Sequence, residues 1–261
     1  MATFKLKSTD SIKIIKEEKK IDVVKKEVFD NFNESILGLG KIETKSTLTN
    51  AISVMFDLEG FTNFCKQIDP QLAVPEYLSD FLSWIFSQVR KETIETTYDE
   101  GYTTYMDLPF LSKYLGDGIL FLWDTEEMDD TAMLNIVTSM SEICAKYERD
   151  FLPNIIKKIS SPPSKLRCGI ARGIIYSVGN GNDFVGPCIN MSARLQKLNS
   201  LSFCFSRRGL NPEHLEEEME KSIITKKVDI RGIGSDELVC FFEAEYDMLS
   251  AEDKSKFKNF D

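Results

Sequence analysis

At 261 residues and 42% hydrophobic content, the chain can bury one sizeable core with appended helices, and one domain is the expectation. Its 42 acidic against 32 basic residues leave a net charge of −10, which works against long-range attraction to nucleic acid or anionic lipid while leaving room for a local basic pocket. No run of about 18 apolar residues exists to span a bilayer, and the start MATFKLKSTDSIKIIKEEKK lacks the apolar stretch and cleavage site of a secretory signal, so a cytoplasmic protein with neither nucleic acid nor membrane as partner is expected.

In chain order, residues 1–35 carry Ile12, Ile15, Val24, Val28 and Phe32 among Lys and Glu, a spacing that predicts one or two amphipathic helices. The Gly, Ser, Thr and Asn content of 36–50 predicts a linker. AISVMFDL (51–58) is a continuous apolar run of strand type, followed by Glu-Gly and a helical pattern from Phe61 to about Glu95. The polar, aromatic stretch 96–108 is expected as a flap or hairpin. PFLSKYL and GILFLWD flank Gly116-Asp117-Gly118, the strongest hairpin signal in the chain. A long helix is expected at about 128–158, a strand pair in SKLRCGIARGIIYSVG, a short helix over 189–198 and a strand in LSFCFS. KKVDIRG and ELVCFFEA form two more strands around a Gly-Ile-Gly turn, and the tail AEDKSKFKNFD is expected to fray. The β-α-β-β-α-β-α-β order predicts an α+β sandwich, an antiparallel-rich sheet flanked by helices. The expected division is an N-terminal helical segment (1–45), a catalytic domain (46–245) and a tail (246–261).

The six cysteines (65, 144, 168, 188, 204 and 240) stand singly among apolar neighbours without CxxC spacing, as reduced core thiols do. His214 is the one histidine. Nucleophilic triads would rest on it alone, and zinc sites built on two or three histidines are excluded by count.

Three constellations carry candidate chemistry. In Phe56-Asp57-Leu58-Glu59-Gly60-Phe61-Thr62 a buried-type strand ends in a carboxylate and a glycine opens a helix, which suits a phosphate and its metal ion. A strand-ending Asp is also an ordinary helix cap. In Lys113-Tyr114-Leu115-Gly116-Asp117-Gly118 the turn sets an acid at a hairpin tip; Asp-Gly is good turn chemistry by itself. If that tip lies beside the end of the first strand, two carboxylates can clamp a pair of metal ions. In the segment 183–195, DFVGPCINMSARL, Asn190 and Arg194 are four apart and share one helix face. Surface residues commonly show the same spacing.

Jointly, in this order and over about Ala51 to Phe242, the three segments resemble the class III adenylyl and guanylyl cyclase catalytic domain, a ferredoxin-like sandwich. The resemblance implies two divalent metal ions, Mn²⁺ or Mg²⁺, on Asp57 and Asp117 with the Leu58 carbonyl as a further ligand. It implies triphosphate binding by the amides around Gly60, Phe61 and Thr62. Asn190 would position the ribose, and Arg194 would stabilise charge on the α-phosphate. Arg231 falls where the family usually has a phosphate-binding Lys, keeping charge with altered geometry. Ala171 stands where many relatives have His. The family's sites form between two catalytic domains, so one copy of each motif implies a homodimer.

Lys113 and Asp183 occupy the positions where adenylyl cyclases read adenine, and lack the Glu and Cys of guanylyl cyclases. A second resemblance, in KYLGDGILFLWD and DFVGPCINMSARLQKL, is to the stand-alone pyrimidine cyclases of bacterial anti-phage (Pycsar) systems. It implies UTP, or else CTP, as substrate and a cyclic nucleotide read by a separate effector. The alternatives are an adenylate cyclase and an inactive cyclase-like binding or dimerisation module. No GGDEF-like segment supports a diguanylate-forming enzyme.

Overall fold

The computed structural model describes residues 11–16, 19–31, 33–92, 94–97, 103–105 and 108–260. Two compact units are present. The smaller joins the described residues up to Leu48 with Tyr176–Val185, and the larger comprises Thr49–Ile175 and Gly186 onward.

In the smaller unit the expected N-terminal helices are corrected. β1 (Ser11–Lys16) and β2 (Lys19–Val24) pair antiparallel, with Ser11 opposite Val24, and only then does a short helix, α1 (Lys26–Asp30), follow. SIKIIK and KKIDVV are rich in β-branched residues, which favour a pleated strand over a helix. Residues 1–10, 17–18 and 32 of the expected helical stretch lie outside the described residues.

The larger unit is built on β3 (Leu48–Glu59), followed by α2 (Phe61–Phe64) and α3 (Pro70–Glu92). β4 (Ile94–Thr97) and β5 (Thr103–Tyr105) pair antiparallel within the stretch expected as a flap or hairpin, whose residues 98–102 and 106–107 lie outside the description. β6 (Leu111–Tyr114) and β7 (Gly118–Asp124) form the expected hairpin. The expected 128–158 helix is interrupted: α4 (Asp130–Lys146) runs into a π-turn at Tyr147–Phe151 before α5 (Leu152–Ile155). Pro153 lacks an N–H for the regular ladder and its ring crowds the preceding turn, which accounts for the wide turn there.

β8 (Lys165–Val178) is one strand of 14 residues, where a strand pair was expected. Its glycines admit a helix and make no turn. A Cβ on Gly169 would collide with the Ser192 carbonyl and the Gln196 amide at the end of α6 (Pro187–Leu195), and one on Gly173 would lie 3.3 Å from Cys188 Cβ. β9 (Asp183–Val185) pairs with the last three residues of β8. β10 (Phe203–Ser206), α7 (Glu217–Ser222), β11 (Ile223–Ile230), β12 (Gly234–Phe242) and α8 (Glu243–Met248) follow. The tail is ordered: α9 (Ala251–Lys254) leads into β13 (Phe257–Asn259), which pairs with β11 through a buried Phe257.

Among the described residues the main sheet has nine strands, ordered β13-β11-β12-β10-β8-β3-β7-β6 with β9 bonded to β8. The β10–β8 pair is parallel, while β3–β7, β6–β7, β10–β12 and β11–β12 are antiparallel. The β3-α3-β6-β7-α4-β8 segment with strand order β8-β3-β7-β6 is the ferredoxin-like arrangement expected. Ile52, Val54, Phe56 and Leu58 face the principal core, packing with Tyr77, Phe81 and Ile85 of α3 and Val137 and Met140 of α4. Ser53 and Asp57 occupy the other face and are also buried, because α6 covers it: Ser53 Oγ lies 2.7 Å from Ser192 Oγ. Burial on both faces is why β3 reads as an unbroken apolar run. No helix among the described residues is long and apolar enough to cross a membrane.

Candidate functional site

The two aspartates meet across the β3–β7 pair. Asp57 stands opposite Gly118 in register, and the Leu58 amide donates to the Asp117 carbonyl at 3.1 Å. The tip that carries Asp117 turns through Gly116 at φ +93°, and Gly118 lies so close under β3 that a Cβ there would be 2.5 Å from the Phe56 carbonyl. Both aspartates therefore stand at one end of the sheet, Asp57 on β3 and Asp117 in the turn that enters β7. Asp57 is buried and Asp117 half-buried. Burial, reinforced by the Asp117 charge, pushes the Tyr114 hydroxyl up, which places a phenol beside this tip.

Beyond Asp57 the chain turns through Gly60 at φ +85° into the single turn of α2. The first intrahelical bonds run from Asn63 and Phe64 to the Gly60 carbonyl, so the Phe61 and Thr62 amides are the unspent donors of a helix start. Gly60 and Thr62 are exposed, while the Phe61 ring packs 5.8 Å from that of Phe64.

Two residues that the sequence reading missed converge on Asp57. Arg167 of β8, the strand beside β3, donates from Nη2 to Asp57 Oδ2 at 2.9 Å, and Lys197 Nζ lies 3.7 Å from Oδ1. Arg167 Nε is buried without a hydrogen-bond partner. A charged side chain set between the buried Leu166 and Cys168 was the available signal for Arg167. Nothing local marks Lys197, whose place follows from the packing of α6.

On α6 the residues Cys188, Met191, Ser192 and Leu195 are buried, at the i, i+3, i+4, i+7 spacing of a packed face. Asn190 and Arg194 lie on the opposite, exposed face, and among the described residues neither side chain bonds to another protein group. Among the described residues neither forms a hydrogen bond or ion pair with Asp57 or Asp117 of the same chain. Arg231 is exposed in the β11–β12 turn, four strand spacings from β3, or about 19 Å across the sheet. Lys113 on β6 pairs with Leu120 and is half-buried. Asp183 begins β9 opposite Val178 in the smaller unit, its Oδ1 accepting from the Phe184 amide at 2.9 Å.

The donors at the sheet end suit a hard divalent cation: two carboxylates and the Leu58 carbonyl, all oxygen. Among the described residues no group of three or more His, Cys, Asp and Glu side chains is arranged to hold a metal ion. An ion of the Mg²⁺ type takes one or two carboxylates and completes its shell with water and substrate phosphates, a demand that two aspartates can meet.

No protein-family model matches the sequence. An adenylate cyclase of Anabaena cylindrica is 22% identical over 220 residues, which is 80% of this chain and 39% of that protein, so the chain spans well under half of that relative. A monomeric guanylyl cyclase domain of the RhoGC fusion protein from the aquatic fungus Blastocladiella emersonii superposes with a TM-score of 0.50 at 13% identity, over 76% of this chain and 98% of the other. The catalytic core of a rhodopsin-guanylyl cyclase with converted specificity, in complex with ATPαS, gives 0.51 at 15% identity over 76% and 97%. The fold is that of a class III cyclase catalytic domain. At these identities the structural likeness concerns the fold, and activity has to be argued from the site.

Proposed function

We propose that this chain is a nucleotide cyclase that converts a ribonucleoside triphosphate to its 3′,5′-cyclic monophosphate and pyrophosphate. The observation that carries the reading is the junction of Asp57 and Asp117 at one sheet end, held by the Leu58 amide to Asp117 carbonyl bond. Divalent ions bound there would neutralise triphosphate charge and acidify the attacking hydroxyl. The Phe61 and Thr62 amides are donors suited to phosphate oxygens. In the reaction the 3′-oxygen forms a bond to the α-phosphorus, the bond from that phosphorus to the bridging oxygen of the β-phosphate breaks, and the hydroxyl proton is released.

Asn190 and Arg194 complete the site from a second copy of the chain. Their exposure on α6, with no bond to a group of their own chain among the described residues, supports that role. Asn190 would orient the ribose, and Arg194 would stabilise charge growing on the α-phosphate. Arg231, distant from β3 in its own chain, would reach the triphosphate from the partner in the same way.

For the base, we favour a pyrimidine, UTP before CTP, on the likeness of the Asp117 and Asn190 segments to the anti-phage pyrimidine cyclases, with a product read by a separate effector in antiviral defence. ATP is the second reading: the adenylate cyclase relative favours it, as do Lys113 and Asp183 if they read adenine. The purified protein incubated with each ribonucleoside triphosphate and Mn²⁺ should yield cyclic UMP or cyclic CMP as the main product by mass spectrometry. Dominant cyclic AMP selects the second reading. No cyclic product from any of the four overturns the enzyme reading in favour of a binding or dimerisation module.

A further inference from the structure

A carboxylate as buried as Asp57 requires compensating charge, and here two cations supply it by different means. Arg167, whose side chain is 16% exposed, fixes Oδ2 by a direct hydrogen bond at 2.9 Å. Lys197, at 61% exposure, faces Oδ1 from 3.7 Å, beyond hydrogen-bond reach. The aim of this solvated side chain is set by the backbone beneath it. Lys197 lies just past α6, its amide donating to the Arg194 carbonyl, and α6 is pinned to β3 through the buried Ser192–Ser53 bond, four residues before Asp57. The two oxygens of Asp57 therefore differ: Oδ2 is committed inside the protein, and Oδ1 is opposed by a charge that can swing into water.

We propose that Lys197 is the resident counter-ion of Asp57 and that a divalent cation enters by exchange with it, taking Oδ1 while Arg167 keeps Oδ2. The inference rests on Asp57 being a metal ligand and adds a determinant of metal affinity that lies outside the three constellations of the sequence. With Lys197 in place, a metal ion meets a like charge close to its ligand, and the ammonium has to move aside into solvent. Substituting Lys197 by an uncharged side chain of similar length removes that opposition, so the nucleotide-free protein gains metal affinity. Most residues near a metal site weaken binding when neutralised, and this one acts in the opposite sense.

The test is a titration of the full chain with Mn²⁺ alone, in the absence of nucleotide, following the loss of the free-ion electron paramagnetic resonance signal. Lys197→Met should bind about threefold to tenfold more tightly than wild type, the range expected for one partly solvated unit charge. Lys197→Arg, which keeps the charge, should stay within about twofold of wild type on the same argument. Asp57→Asn should lose the site in both the wild-type and Lys197→Met backgrounds. Equal or weaker binding by Lys197→Met, with the site still lost in Asp57→Asn, overturns the exchange while leaving Asp57 a metal ligand. Binding by Asp57→Asn equal to wild type overturns both. Arg167 still compensates Asp57 in the Lys197 variants, so their thermal unfolding should stay cooperative and close to wild type, and a retained transition separates the affinity change from loss of the fold.

Discussion

The Leu58 amide and the Asp117 carbonyl, 3.1 Å apart, lock the tip of the β6–β7 hairpin to the end of β3. Sixty positions separate Asp57 from Asp117, yet one ladder rung sets both at the same sheet end. The two acids differ in surroundings. Asp57 is buried and ion-paired to Arg167, while Asp117 is half-buried at a turn. Asp57→Asn and Asp117→Asn should each abolish cyclic product, and the two alanine variants separate the positions by stability. Asp57→Ala strands the Arg167 guanidinium beside a void and should lower unfolding free energy by about 1.5–3 kcal/mol, the range for hydrogen bonds to charged groups. Asp117→Ala should change it by less than about 0.5 kcal/mol, as at most surface positions. Urea titrations check the difference; equal losses at both positions would refute the assigned roles of Arg167 and Asp57.

If Asn190 and Arg194 act on the aspartates of a partner copy, two inactive variants should rescue one another. Asp57→Asn supplies an intact α6 face, and Arg194→Ala supplies an intact carboxylate pair. Mixed in equal amounts and allowed to exchange, half of the dimers are mixed, and each mixed dimer has one whole site. Recovery of about a quarter of wild-type product formation is expected from that statistical pairing across an isologous interface. Product formation in the mixture no higher than in either variant alone rules out shared sites.

How much of this was legible in the sequence depended on the range of the forces involved. The Gly116-Asp117-Gly118 turn and the run of β3 were readable because turn chemistry and continuous burial act locally. β1 and β2 were not, since the charged residues between their β-branched positions mimic a helical face. Gly169 and Gly173 suggested a turn within β8, whereas their role is to admit α6, which lies far along the chain: Gly173 meets Cys188, and Gly169 meets Ser192 and Gln196. The tail was expected to fray because nothing in AEDKSKFKNFD announces that Phe257 will find β11. Lys197 was invisible for the same reason, since its link to Asp57 exists only once α6 has packed on β3.

The glycines of β8 give a contrasting pair of substitutions. At Gly169 a methyl group would meet backbone atoms of Ser192 and Gln196, which cannot yield without moving α6 and with it Arg194 and Lys197. Gly169→Ala should destabilise the fold by about 3 kcal/mol, the upper part of the range for overpacking, and reduce turnover in parallel. At Gly173 the same methyl meets the Cys188 side chain at 3.3 Å, a contact relieved by a shift of a few tenths of an ångström. Gly173→Ala should cost less than about 1 kcal/mol. Denaturant midpoints for the two variants test the ordering, and a Gly173→Ala loss as large as that of Gly169→Ala would show that α6 is not the limiting contact.

The buried thiols set an alkaline limit on stability. Burial pushes Cys188 and Cys240 up to about 11, against an ordinary thiol value of 9.0, even though hydrogen bonds from backbone amides at Cys188 and from Thr225 at Cys240 pull the other way. In both cases the folded state holds the proton more tightly than the unfolded chain. The unfolded thiol ionises first, so the folded state has its full advantage below about pH 9 and loses it progressively as pH rises towards about 11. Under reducing conditions the unfolding midpoint should show no thiol contribution up to pH 8 and fall between pH 9 and 11. Cys188→Ala and Cys240→Ala together should make that part of the curve shallower, the remaining fall coming from Cys168, Cys204, Tyr77 and Tyr147, which burial also pushes up. An alkaline fall of the same size in the double variant would assign the limit to other groups.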